Sequence, residues 1–181
     1  MSACKFLIEY KLKYPRCRII TNVKSFNPFD DTLYFTRFSS IMDYCIKNYS
    51  KPDNEKEQII IFYDEIFTLL EKNKSLNVDI LAFLSQLRKR KIILITTAQE
   101  WLEINITFRR YIRYQIDCNM ITLPISKYAF CINSINDGDL IKWDNEINEY
   151  VAPRVMTKIF KGNKAIVDSY NTFETITTNK L

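Results

Sequence analysis

Residues 58–70 read QIIIFYDEIFTLL, an apolar run that ends abruptly on two adjacent carboxylates, Asp64 and Glu65. The QIIIFY half is continuously apolar rather than alternating, which is the pattern of a strand buried on both faces. Such strands belong to parallel sheets covered by helices, and the sites of those sheets lie just beyond the strands' carboxyl ends. An Asp-Glu pair at that point has two readings. Carboxylates favour the first turn of a helix, so the pair is ordinary where a helix follows. It also suits nucleotide hydrolysis, where one carboxylate helps hold a phosphate-bound Mg²⁺ and the next orients the attacking water.

Working outward, the same grammar repeats. NVDILAFLSQLRKR (77–90) places Val78, Leu81, Leu84 and Leu87 at helical spacing and ends in basic residues, so it reads as an amphipathic helix. KIILITTAQ (91–99) is a second continuous apolar strand, ending on Thr96, Thr97, Ala98 and Gln99. Upstream, ACKFLIEYKLKYP (3–15) predicts a helix with Phe6, Leu7, Tyr10 and Tyr14 on one side, closed by Pro15. CRIITNV (17–23) suits a strand, FNPFDD (26–31) a turn and TLYF (32–35) a short strand. FSSIMDYCIKNY (38–49) predicts a helix starting near a serine cap, and KPDNEKE (51–57) is loop by composition.

Downstream, ITFRRYIRY (106–114) predicts a short helix and QIDCNMI (115–121) a strand. The segment 127–146 alternates around Asp137-Gly138, a hairpin signal. The tail KAIVDSYNTFETITTNK (164–180) reads as a strand with a polar end. Buried strands alternating with amphipathic helices predict one α/β domain over 1–181 with a mainly parallel sheet and a C-terminal β-hairpin.

Composition narrows the chemistry. At 181 residues, 47% hydrophobic and 14% aromatic, the chain is long and apolar enough for one buried core. The net charge of +5 tolerates a nucleic-acid partner without demanding one. The absence of histidine removes Ser-His-Asp and Cys-His nucleophile systems and histidine metal sites together. With two glycines, Gly138 and Gly162, no glycine-rich phosphate loop can be drawn from these residues. Five cysteines without C-x-x-C spacing predict reduced, mostly buried thiols in a cytosol-like compartment. Apolar runs stay far short of the roughly 20 residues of a spanning helix, so a soluble chain is expected.

Arg109, Arg110 and Arg113 follow the second strand. Arginines there could neutralise a phosphoryl group, in cis or across a subunit boundary, or could form an ordinary basic helix face.

The order of these elements resembles the FtsK/HerA-type P-loop ATPases, especially the zonula occludens toxin-like proteins of filamentous phages and viral DNA-packaging ATPases. The matching pieces are CRIITNV after the first helix, IIIFYDE (59–65) as the Walker B strand, and FLSQLRKRKIILITTAQEWLEI (83–104) as helix and sensor strand. FRRYIRYQIDC (108–118) falls at the family's arginine finger, and VDSYNTFETI (167–176) at its closing strand. The resemblance implies a three-layer P-loop NTPase-like core, with ATP and Mg²⁺ as cofactors. Asp64 would be the metal-side carboxylate, Glu65 the catalytic one, and Gln99 with Thr97 the nucleotide-sensing position. Arg110 or Arg109 would act as a finger on the neighbouring subunit of a ring, commonly a hexamer. DNA and a capsid or membrane assembly complex would be partners, in the host cytoplasm or the virion.

One departure is expected to matter. The family's Walker A loop precedes the first helix, whereas here that helix begins at the start of the sequence, so the first strand and loop are expected to be missing. The chain then reads as the ATPase portion of a packaging or translocation motor, inactive alone. The alternative is a non-catalytic, degenerate ATPase fold that binds DNA or intact subunits.

Overall fold

β3 (Ile59–Tyr63) is an inner strand of a four-stranded, all-parallel sheet in the computed structural model, and all five of its residues are buried. The structure describes residues 2–26, 28–66, 77–99, 101, 104–122, 129–140, 142–146 and 148–169. β1 (Arg18–Thr21) and β4 (Ile93–Thr96) flank β3, and β2 (Leu33–Tyr34) lies beyond β1, giving the order β2-β1-β3-β4. The register pairs Thr21 with Phe62 and Tyr63 with Thr96, so three strands finish nearly level.

Alternate residues of β1 and β3 point to opposite faces, as the pleat requires. Ile20, Ile59, Ile61 and Tyr63 pack under α2 (Phe38–Tyr49) and α3 (Val78–Gln86), against Phe38, Ile41, Cys45, Phe83 and Leu84. The Phe38 ring meets Tyr63 and Phe83 edge-on, at 5.3 and 5.9 Å between centroids. On the other face, Ile19, Ile60 and Phe62 pack with Cys4, Leu7, Cys17, Val23 and Phe26 beneath α1 (Ser2–Lys13). The three-layer α/β architecture expected from the sequence is the one observed.

Some helix faces differ from the apolar spacing. α1 buries Cys4, Leu7 and Lys11, leaving Phe6 and Tyr14 exposed. The Lys11 amine is held inside by the Cys17 carbonyl and, at 2.6 Å, by Asp31, so a lysine replaces an apolar residue on the buried stripe. α3 buries Ile80, Phe83 and Leu84, while Val78 is 76% exposed beside the Asn77 cap. α2 begins after Arg37 with no side-chain cap.

The C-terminal half is antiparallel. β5 (Tyr114–Ile121), β6 (Phe130–Asp137) and β9 (Arg154–Lys161) form a sheet in the order β5-β6-β9. β7 (Lys142–Asp144) and β8 (Glu149–Val151) form the β-hairpin. Asp137-Gly138 is not its two-residue turn. Gly138 ends β6 in a 3₁₀ turn, its N–H donates to the Arg113 carbonyl at 2.7 Å, and a Cβ there would stand 2.2 Å from the Ile112 carbonyl oxygen. Close backbone approach, not turn geometry, selects glycine.

Two further segments depart from expectation. The short helix α4 covers only Ile106–Arg109, because Tyr114 already belongs to β5. The start of the tail is a helix, α5 (Lys164–Asp168), whose Asn163 cap accepts from the Ile166 N–H at 3.0 Å. The proposed closing strand falls largely on residues 170–181, outside the described residues. Among the described residues, no helix is long and apolar enough to cross a membrane.

Candidate functional site

Because β3 and β4 run parallel with Tyr63 opposite Thr96, the next residues of each, Asp64 and Thr97, emerge side by side. The Thr97 hydroxyl donates to Asp64 Oδ1 and accepts from the Glu65 N–H at 2.9 Å. Backbone bonds complete the join, from the Thr97 N–H to the Tyr63 carbonyl at 3.3 Å and from the Ile66 N–H to the Thr97 carbonyl at 3.1 Å. Asp64 is 8% exposed. A buried carboxylate requires such donors, since an unsatisfied one is expensive to remove from water.

Asn22, the residue after β1, grips Asp64 from the opposite side. Its amide nitrogen donates to the Asp64 carbonyl at 3.1 Å, and its amide oxygen accepts from the Asp64 N–H at 2.8 Å. The sequence reading ended a strand near Asn22 without giving that residue a role. The available signal was its place at the carboxyl end of an apolar strand, the same rule that singles out Asp64 and Thr97.

Glu65 has φ = +54°, in the left-handed region. A non-glycine residue adopts it only when its surroundings fix the conformation, at a cost of about 1–2 kcal/mol. The fixing contacts are the bonds from the Glu65 and Ile66 N–H groups to Thr97. Glu65 is consequently half-buried while Asp64 is enclosed. Residues held in this region concentrate at functional sites.

In the first turn of α1, burial pushes the Cys4 thiol above its ordinary value, and the Asp64 charge adds a smaller upward push. The Ser2 hydroxyl donates to Asn133 Oδ1 at 2.8 Å, tying that turn to β6.

The other residues singled out from the sequence are placed less centrally. Gln99 is exposed, two residues beyond Thr97. Arg109 is half-buried: its Nε donates to the Ile104 carbonyl at 2.9 Å and its guanidinium lies 5.3 Å from the Trp101 ring centroid. Arg110 is exposed at the carboxyl cap of α4. Arg113 approaches Asp139 at 3.8 Å. Asp64, Glu65 and Thr97 are thus one hydrogen-bonded unit, and the arginines stand on a separate element. Among the described residues, no group of three or more His, Cys, Asp or Glu side chains could hold a metal ion.

No family model matches the chain, and no curated protein sequence matches it. Solved structures do. The N-terminal domain of zonular occludens toxin from Neisseria meningitidis is similar over 86% of this chain and 81% of its own, at 13% identity and TM-score 0.50. B204, the DNA-packaging ATPase of Sulfolobus turreted icosahedral virus, is similar over 87% of this chain and 88% of its own, at 10% identity and TM-score 0.54. The genome-packaging NTPase B204 of Sulfolobus turreted icosahedral virus 2, in complex with ATP-gammaS, is similar over 85% and 86%, at 12% identity and TM-score 0.51. At such identities the likeness is one of fold. A parallel sheet ending in Asp64 and Thr97, followed by an antiparallel sheet, gives this chain the fold shared by the zonular occludens toxin domain and the viral packaging ATPases.

Proposed function

We propose that the chain is the ATPase-domain portion of a DNA-packaging or DNA-translocating motor, viral or carried by a mobile element, with the carboxyl end of β3 as its hydrolytic half-site. The observation that carries this reading is the unit of Asp64, Glu65 and Thr97 on adjacent parallel strands. Asp64 is the metal-side carboxylate. Its hard oxygen ligands, with the Thr97 hydroxyl beside them, fit a nucleotide-borne Mg²⁺, which would neutralise phosphate charge. Glu65, less buried and turned by its backbone, is the carboxylate that orients the attacking water. Thr97 links Asp64 to the β4 backbone, so it and Gln99 are suited to register loss of the terminal phosphate.

Arg110 is a better finger than Arg109, whose Nε is engaged by Ile104 and whose guanidinium covers Trp101. The finger would act on the next subunit of a homo-oligomeric ring, a hexamer in the FtsK/HerA arrangement. DNA is the transported partner, and a capsid or membrane assembly complex the docking partner, in the host cytoplasm or virion. The structurally similar packaging NTPases, one of them bound to ATP-gammaS, support the choice of nucleotide and of DNA.

The Walker A element is the second half of the proposal. Two glycines cannot form a phosphate cradle, so hydrolysis requires a loop supplied from outside these residues. The 181-residue chain alone is therefore expected to show no Mg²⁺-dependent ATP turnover. Turnover abolished by Glu65→Gln would overturn the need for a supplied loop. The same scarcity of glycine favours the second reading, a non-catalytic ATPase-fold module. A strand followed by G-x-x-x-x-G-K-[ST] in the codons upstream decides for the motor, and its absence for the module.

A further inference from the structure

The end of the parallel sheet opposite Asp64 gathers positive charge. The loop after α2 (51–57) and the turn after α3 (87–91) both return the chain to the amino ends of parallel strands, so they lie at the same end. The first supplies Lys51 and Lys56 together with Asp53, Glu55 and Glu57, the second Arg88, Lys89, Arg90 and Lys91 with no acid, so the net charge of the two segments is positive. One cation from each segment meets Tyr49, whose ring centroid is 4.7 Å from Lys56 Nζ and 5.0 Å from the Arg90 guanidinium carbon. The exposed Asp53 carboxyl is held below its ordinary value, first by a hydrogen bond from Lys56 and further by the charges of Lys56 and Lys91. Glu57 turns away from this surface to Arg18 and Tyr44.

The conformation of Lys91 is the second observation. The Ile92 N–H donates to the Leu87 carbonyl at 3.0 Å while Lys91 holds φ = +53°, the helix-ending motif whose left-handed position is usually glycine. A helix dipole favours cations in a last turn, which accounts for part of the run at 88–90. It does not require a lysine on a strained backbone, nor two lysines contributed by the facing loop. Arg90 Nη1, moreover, is buried with no hydrogen-bond partner among the described residues. Like charges collected at one surface repel, and an anionic partner removes that repulsion.

We propose that this surface binds the phosphodiester backbone of duplex DNA. The cations are a compact, sequence-blind set suited to successive phosphates, and they lie at the opposite end of the sheet from Asp64, so nucleotide and DNA can be held together. The choice of DNA among polyanions rests on the motor reading.

The test is fluorescence polarisation of a short labelled duplex with the full chain across a salt series, without nucleotide. Wild type is expected to bind with steeply salt-dependent affinity. Lys89→Glu combined with Lys91→Glu should weaken binding about tenfold or more near 0.1 M salt and flatten the log–log salt slope by about 2. Lys91→Gly removes one charge while relieving the backbone, so it should flatten the slope by about 1 with an unchanged or higher melting temperature. No duplex binding by wild type, variants that bind as wild type does, or preferential retention on phosphatidylserine vesicles would each overturn the proposal. Because nucleotide is left out, failure to find a phosphate loop upstream overturns the motor reading without altering this binding result, and the reverse also holds.

Discussion

The Thr97 hydroxyl serves two masters, donating to the Asp64 carboxylate and accepting the Glu65 N–H. One oxygen on β4 therefore sets both the side chain of one acid and the backbone of the other. Thr97→Val keeps the shape and removes both bonds. It should destabilise the chain by about 1–3 kcal/mol, because the partners lose a bond they cannot replace with water, whereas Thr97→Ser should cost under about 1 kcal/mol. Urea unfolding of the three proteins, compared at equal m-values, decides. Equal stability for valine and wild type would show that the bonds contribute nothing.

Glu65 is expected to trade stability for function. Glycine adopts φ = +54° without the Cβ penalty but loses more entropy on folding, so Glu65→Gly should be neutral to about 1 kcal/mol more stable. It should also abolish turnover in any assembly where the phosphate loop is supplied. Calorimetry alongside phosphate release measures both sides, and a large loss of stability would contradict the left-handed assignment.

Gly138 has the opposite sensitivity. Gly138→Ala places a Cβ 2.2 Å from the Ile112 carbonyl oxygen, a backbone atom that no side-chain rotation can move aside. We predict a loss of about 2 kcal/mol or more, and weakening of the Gly138–Arg113 bond that joins the end of β6 to the start of β5. Hydrogen exchange at the amides of β5 would rise with it.

A pH dependence follows from the Arg18–Glu57–Tyr44 network. A hydrogen bond from Arg18 holds the Glu57 carboxyl below its usual value, and the Tyr44 hydroxyl adds to this at 2.8 Å. With the folded value depressed, this contribution is complete above the unfolded value near 4.3 and disappears as pH falls through the folded one. Burial first, then its bond to Glu57, pushes Tyr44 up to about 12, so its contribution is present below about 10 and lost as pH rises toward 12. Arg18 and Glu57 are about a quarter exposed, so solvent screens them. Glu57→Gln should lower stability by about 1–2 kcal/mol at neutral pH and flatten the acid limb. An unchanged acid limb in denaturation midpoints measured from pH 3 to 7 would remove Glu57 from the account.

The fold was readable because its strands are unusually plain. IIIFY and IILI are continuous apolar runs rich in β-branched isoleucine, a pattern that suits a covered parallel sheet. Strand order is another matter. No property of residues 58–70 says that β4 rather than β2 lies beside β3, so the contact of Asp64 with Thr97 had to come from the fold. Asn22 was missed for the same reason, since its amide acts on a strand 42 residues away. The tail misled because KAIV is too short to separate strand from helix by periodicity, although Asn163 in front of it is a cap. In α3, apolar spacing gave the helix but placed Val78 on the buried side, where the end of the helix leaves it in solvent.

Asp64 is anchored to positions 42 residues before it and 33 after it, by side chains at the ends of two separate strands. Each anchor closes a long loop of chain, and Asp64 is held at both backbone and carboxylate only when both closures exist. Breathing of either excursion, the one through α2 or the one through α3, dissolves the acidic end of β3 even if the antiparallel half stays intact. The geometry of the acid pair is therefore a gauge of how completely the parallel half has come together, and any partner that clamps those two excursions would tighten it from a distance.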